Sequence, residues 1–123
     1  MSRVSIFLAA LLLVPASASL AEAACRTSGP NFFVNMNDSV TFQSTMDRKG
    51  CRHSYWADSH LTFQKAVAMK QPAYGKLSQV GEFAFFYKPN PGYVGRDEYV
   101  IYICGSNRHG SGCSRLRYEA TVK

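Results

Sequence analysis

The chain of 123 residues has little charge and no long hydrophobic run, and each shortage excludes a class of protein. Charged residues make up only 18% and hydrophobic residues 46%, which is the wrong balance for an intrinsically disordered protein. The main apolar run, residues 6–14, is shorter than the roughly 20 residues that a membrane-spanning helix needs. No helical period is visible, and the length leaves room for one ordinary domain.

The sequence also has none of the short motifs that identify common enzymes or metal sites. It contains no G-x-S-x-G nucleophile elbow. Its histidines, His53, His60 and His109, are not spaced like metal ligands on one helix, and we expect them in surface loops. We therefore predict no catalytic residue, no metal and no cofactor. The alternative is a small secreted hydrolase that uses His53, Asp58 and His60.

The N-terminal segment has the three-part layout of a secretory signal peptide. Arg3 precedes the apolar run, and small residues follow it up to Ala24. We predict that residues 1–24 are cleaved and that residues 25–123 form a single domain, with no transmembrane segment left. The protein would then be periplasmic or extracellular. A lipid-modified Cys25 at the new N-terminus is the alternative.

Four cysteines in a short exported chain are typical of two disulfides. Cys104 and Cys113 flank a glycine-rich segment, residues 105–112, that we predict as a loop between two strands, so a bond between them is geometrically easy. Cys25 and Cys51 would then form the second bond and hold the N-terminus of the domain. An antibody-like bond between Cys51 and Cys104, across two sheets, is the alternative.

Apolar and polar residues alternate along much of the mature chain, and this period of two predicts strands. The alternating segments, the last two of them weaker, are residues 40–45, 83–88, 99–103, 115–123, 61–63 and 66–69. About seven short strands separated by turn signals predict an all-β, Ig-like antiparallel β-sandwich. The C-terminal segment carries basic residues on its polar face, which is typical of a protected edge strand.

Residues 99–103 are apolar on both faces, which indicates a central strand. Val100 and Tyr102, on one of those faces, then need a cover. We expect either Phe32 and Phe33 or a second subunit to supply it.

Residues 72–103 contain the pattern P-x-x-G-x-L and then F-x-Y-x-P-N-x-G-Y-x-G-x-D-x-Y. This stretch resembles the bacterial Ig-like, cadherin-like repeats of secreted and surface proteins. The matching positions are Pro72, Gly75, Leu77, Phe85, Tyr87, Pro89, Asn90, Gly92, Tyr93, Gly95, Asp97, Tyr99 and Ile101. The resemblance implies an Ig-like sandwich with an adhesive function in a bacterium.

The motif also has a physical interpretation as a corner between two strands. Pro89 cannot donate a ladder hydrogen bond, so we expect a strand to end there. Gly92 and Gly95 allow a sharp return with positive φ, and Tyr99 lies in the strand that follows. Asp97 can brace that turn through its carboxylate, although calcium binding is an alternative use.

Basic residues outnumber acidic ones, 14 to 8, and the formal net charge is +6. If alternate loops meet at one end of the sandwich, they would form a basic patch with aromatic neighbours. The candidate residues are Arg48, Lys49, Arg52, His53, Tyr55, Trp56, Arg108, His109, Arg115 and Arg117. Such a patch could bind acidic polysaccharide or lipid phosphate, while the modest charge does not favour nucleic acid.

These patterns together predict a non-enzymatic protein of the cell envelope. We expect a small binding or structural module whose partner is a protein or glycan outside the cytoplasm. The sequence does not identify the partner, because a sandwich carries its specificity in loops.

Overall fold

The computed structural model describes residues 25–123, and the predicted signal peptide lies outside this range. Eight strands and one short 3-10 helix, Val34–Met36, make up the described chain. The strands are β1 (Arg26–Ser28), β2 (Ser39–Met46), β3 (Cys51–Ser54), β4 (Leu61–Lys70), β5 (Gly75–Gly81), β6 (Ala84–Pro89), β7 (Gly95–Asn107) and β8 (Gly110–Val122).

The strands form two packed sheets, and the predicted Ig-like β-sandwich is confirmed. The large sheet has the order β1-β2-β8-β7-β4, and the small sheet has the order β3-β6-β5. The neighbours β8-β7-β4 and β3-β6-β5 correspond to strands G-F-C and B-E-D of immunoglobulin domains. One pair departs from the antiparallel prediction, because β2 runs parallel to β8 over its whole length.

The core follows from the alternation of side chains along these strands. Tyr99, Ile101 and Ile103 of β7 point inward and are fully buried, as are Phe85 and Tyr87 of β6. Each apolar side chain of this size stabilises the fold by roughly 1.5–3 kcal/mol when buried. The two sheets are therefore held together mainly by large aromatic and branched residues.

Three details of the large sheet correct the sequence predictions. The C-terminal strand is not an edge, because β8 lies between β2 and β7. The predicted loop at residues 105–112 is mostly paired strand, and the hairpin turns only at Arg108 and His109. Phe32 packs edge-on against Phe42, which lies on the core-facing side of β2, and Phe33 is exposed. The expectation that these two residues cover Val100 and Tyr102 is therefore wrong.

Two disulfides join the cysteines in the pairing that the sequence favoured. Cys25 is bonded to Cys51, with their Cα atoms 5.1 Å apart, and this bond ties the β1 edge of the large sheet to the β3 edge of the small sheet. Cys104 is bonded to Cys113, its direct partner across β7 and β8. The antibody-like pairing is therefore wrong. These bonds are typical of an oxidising environment. No helix within residues 25–123 is long and apolar enough to cross a membrane.

Asp97 braces a different turn from the one predicted. Its carboxylate is buried and accepts hydrogen bonds from the backbone N–H groups of Ala73 and Tyr74, at 3.0 and 3.1 Å. These residues belong to the connection between β4 and β5, whereas the motif suggested the turn after Pro89. That turn does contain the predicted positive φ angles, at Gly92 and Gly95.

Candidate functional site

The predicted single basic patch does not form, because its members lie on distant parts of the sandwich. Arg48 and Lys49 follow β2, which ends level with Val122 of β8. Arg108 and His109 form the hairpin turn at the other end of β8. The whole length of β8, roughly 3.3 Å for each residue, separates these two pairs. The sequence reasoning was wrong because it assumed that the two loops share one end.

Arg115 and Arg117 belong to neither end, since both project from the outer face of the large sheet. Glu98 lies beside them on β7 and pairs with Arg117 at 2.5 Å and with Lys70 at 2.8 Å. Hydrogen bonds from Lys70 and Arg117 lower the pKa of the Glu98 carboxyl. These contacts neutralise part of the positive charge on this face of the sheet.

The three residues proposed for a hydrolase, His53, Asp58 and His60, do not lie in one site. Asp58 and His60 line a surface groove at the hairpin end, whereas His53 lines a different groove. The Asp58 carboxylate accepts a hydrogen bond from the backbone N–H of His60 at 2.7 Å and so serves the local turn. His53 is not in a surface loop as expected, because it lies in β3 and is only 5% exposed.

Four predicted binding residues do come together, at the gap between the edges of the two sheets. A groove of about 470 Å³ opens there, and we call it the edge groove. It is lined by Cys25, Thr27, Arg52, His53, Ser54, Trp56 and Tyr118. The fourth predicted residue, Tyr55, lies beneath the lining, where its hydroxyl is 2.5 Å from that of Tyr118.

The gap exists because the strands on either side of it are short. β1 has three residues and β3 has four, so the two edges meet over only a short distance. The Cys25–Cys51 bond holds the edges together at one end of the gap. Trp56 stands just beyond β3, and its side chain is 80% exposed.

His53 forms the floor of the edge groove. Its Nε2 atom is 2.6 Å from the hydroxyl oxygen of Tyr99, and its ring lies 4.0 Å from the ring of Tyr118. Burial lowers the pKa of His53 to about 4, so the imidazole is neutral at pH 7.

The other ring nitrogen of His53 is available to a ligand. Within residues 25–123, Nδ1 has no hydrogen-bond partner. In the same range no fully buried side-chain nitrogen or oxygen lacks a partner. Nδ1 must therefore keep contact with the solvent in the groove. A polar ligand that enters the groove exchanges this solvent contact for a direct hydrogen bond to Nδ1.

The floor is rigid because it rests on a stack of aromatic rings. Tyr118 is stacked between Phe42 and Tyr99, with ring centroids 5.1 and 5.3 Å away, and Tyr99 is stacked on Tyr87 at 4.8 Å. Burial raises the pKa of Tyr118 to about 12, so its hydroxyl keeps its proton at every ordinary pH. A site built on such packed rings needs little rearrangement to bind a ligand.

Arg52 is the one charged side chain that lines the edge groove. Its Nε atom donates a hydrogen bond to Oγ of Ser54 at 3.0 Å, which holds the guanidinium beside a second residue of the lining. The lining contains no aspartate or glutamate. The groove therefore favours a ligand that carries negative charge.

A second groove of about 500 Å³ lies at the hairpin end of the sandwich. Phe33, which is 61% exposed, lines it together with Asp58, His60, Arg108 and His109. Its lining contains no buried polar side chain, because Val34 is its one buried member, whereas the edge groove contains the buried imidazole of His53. We therefore regard the edge groove as the candidate functional site.

Comparison with known proteins adds no assignment to this geometry. No protein-family model matches the chain, and a search of curated proteins finds no significant match. Within residues 25–123, no three histidine, cysteine, aspartate or glutamate side chains are grouped so that they could hold a metal ion. The sequence reasoning missed Thr27 and Tyr118 as members of the site, because they lie far from Trp56 in the chain.

Proposed function

We propose that this protein is an exported, non-enzymatic Ig-like binding module of the bacterial cell envelope that binds its ligand in the edge groove. The observation that carries the proposal is the position of Trp56. A large aromatic side chain that is 80% exposed costs free energy in water, and it lies at a groove with a polar floor. Such exposure is expected where a ligand covers the side chain.

Three features of the chain support its export to the periplasm or beyond. The two disulfides suit an oxidising compartment, and the layout of residues 1–24 is that of a signal peptide. The resemblance of residues 72–103 to secreted Ig-like repeats supports the same location. A binding role also suits the fold, because a rigid sandwich presents its exposed residues in fixed positions.

Trp56 is the single tryptophan of the chain, so its fluorescence reports on the edge groove alone. The test measures how iodide quenches the Trp56 fluorescence of the purified, oxidised protein. The measurement is repeated in the presence of each of a panel of probes, namely soluble polysaccharides, peptidoglycan fragments and bacterial envelope extract. We expect at least one probe to shift the emission to shorter wavelength and to reduce the quenching constant two-fold or more.

Two matched variants connect that signal to the groove. Ser54→Phe places a large ring in the groove lining, whereas Ser78→Phe places the same ring on the same face of the small sheet, but on β5 and outside the lining. We expect Ser54→Phe to abolish protection of Trp56 and Ser78→Phe to preserve it. Protection that survives in Ser54→Phe, or a panel in which no probe protects Trp56, would contradict the proposal.

A further inference from the structure

We infer that the ligand of the edge groove is an acidic glycan, and that the groove binds one pyranose ring carrying a carboxylate. This inference rests on the proposed function, because it names the ligand class of the same site. It is drawn from three residues of the groove lining: Trp56 with its exposed indole, Arg52 on the outer face of β3, and His53 on the inner face with an unpartnered ring nitrogen.

The indole of Trp56 suits the flat, apolar face of a sugar ring. Because Trp56 is 80% exposed, most of its surface is free to be covered. An aromatic ring pairs an apolar face with a polar N–H at its edge, and a pyranose likewise has C–H groups on its face and hydroxyls at its rim. The groove volume of about 470 Å³ is within the range of small-ligand sites.

The guanidinium of Arg52 suits a carboxylate. Its Nε atom is held by Ser54, and within residues 25–123 its terminal nitrogens form no ion pair. A planar guanidinium binds a carboxylate through two parallel hydrogen bonds, and this geometry gives specificity as well as affinity. The absence of carboxylates from the lining leaves this position without a competing partner.

The floor of the groove suits the hydroxyl groups of the same sugar. His53 Nδ1 has no hydrogen-bond partner within residues 25–123, and it belongs to a side chain that is only 5% exposed. Thr27 and Ser54 add hydroxyls that both donate and accept hydrogen bonds. A site with a buried hydrogen-bonding group discriminates strongly against ligands that leave the group unpaired.

A lipid phosphate fits the same groove less well. Binding to an anionic membrane surface depends on several basic residues acting together near the surface. The edge groove supplies one cation, and Arg48, Lys49, Arg108 and His109 lie at two opposite ends of the sandwich. The geometry therefore favours a single carboxylate over a charged surface.

The test compares a galacturonate tetrasaccharide with the same oligosaccharide after chemical reduction of its carboxylates. Affinity is measured by Trp56 fluorescence and by calorimetry, at low and at physiological salt. We expect the acidic form to bind at least ten-fold more tightly, and we expect Arg52→Gln to remove that difference. Arg48→Gln, an exposed arginine outside the groove, is the matched control and should leave both affinities unchanged.

The outcomes distinguish the ligand class from the proposed function. Equal binding of the two oligosaccharides, or a preference that persists in Arg52→Gln, would overturn the acidic-glycan inference and leave groove binding intact. Arg52-dependent binding to phosphatidylglycerol vesicles, with no binding of the tetrasaccharide, would also overturn it. If neither oligosaccharide binds but envelope extract protects Trp56 in a manner sensitive to Ser54→Phe, only the ligand class fails. If nothing protects Trp56, both fail.

Discussion

The hydroxyl of Tyr87 donates a hydrogen bond of 2.6 Å to the carboxylate of Asp97, and this bond joins the small sheet to the large one. The same carboxylate accepts the backbone N–H groups of Ala73 and Tyr74, so it connects three elements of the chain. A buried carboxylate with this many donors is costly to replace, because each donor loses its partner.

We expect Asp97→Ala to lower the free energy of unfolding by about 3 kcal/mol or more, because buried donors are left unpaired. Urea unfolding followed by circular dichroism measures the change. Asp47→Ala is the control, since Asp47 binds only an exposed backbone N–H, that of Lys49, through its side chain. The Asp47→Ala variant should lose about 1 kcal/mol or less of its free energy of unfolding. Equal costs for the two variants would show that Asp97 does not join the sheets.

His53 makes the stability of the protein depend on pH. Its pKa is about 4 in the folded state and about 6.5 when unfolded, so between these values the unfolded chain binds the additional proton. Stability is complete above pH 6.5 and falls as the pH is lowered towards 4. The total loss is about 3 kcal/mol, at 1.36 kcal/mol for each pH unit.

Urea midpoints measured from pH 4 to pH 7.5 check this dependence. His53→Gln removes the titrating group and should flatten the profile in this window, even if it lowers stability at pH 7. His60→Gln alters an exposed histidine and should leave the slope unchanged. A slope that persists in His53→Gln would assign the dependence to other groups.

Two glycines with positive φ differ in the space around them. A Cβ atom at Gly50 (φ 93°) would lie 2.1 Å from the carbonyl oxygen of Tyr87, whereas one at Gly92 (φ 79°) would meet nothing within 4 Å. We expect Gly92→Ala to cost about 1 kcal/mol, from backbone strain alone. Gly50→Ala should cost at least about 3 kcal/mol, because the backbone of β6 must also move. Thermal unfolding of both variants gives the comparison, and similar costs would contradict it.

The two disulfides should differ in what their removal releases. In the chain-entropy model the Cys25–Cys51 bond, with a separation of 26 residues, contributes about 3.5 kcal/mol, and the Cys104–Cys113 bond, with a separation of 9, contributes about 2.6 kcal/mol. Only the first holds β1 against the small sheet. We expect stability to fall both when Cys25 and Cys51 are replaced by alanine and when Cys104 and Cys113 are. Faster hydrogen exchange at the backbone N–H of Thr27 should appear only in the variant that lacks Cys25 and Cys51. Equal exchange in both variants would contradict this assignment.

Much of the sandwich could be predicted because its strands alternate clearly. The segment at residues 83–88 overlaps β6 from Ala84 onward, and the segment at residues 99–103 lies within β7. The two weaker segments at 61–63 and 66–69 are one strand, β4, interrupted by irregular pairing after Phe63. β3 was missed, because its residues are mostly polar and it buries only Cys51 and His53.

The position of β8 and the composition of the site could not be predicted. A basic polar face suits both an edge strand and an exposed sheet face, and only the pairing of Ser39 with Arg115 shows that β2 covers the edge of β8. The edge groove depends on contacts between residues far apart in the chain, such as His53 with Tyr118. Periodicity describes one strand at a time and contains no information about such contacts.

The parallel pairing of β2 with β8 has a consequence for how the protein reaches its folded form. β8 is the last strand described, and it lies between β2 and β7, so the large sheet stays in two parts until β8 is in place. Long-range pairing of this kind is slow and leaves strand edges open in the meantime. If the chain is exported as we propose, its four thiols reach the oxidising compartment before the native sheet is complete, and we expect the order in which they oxidise to affect the yield of correctly paired molecules.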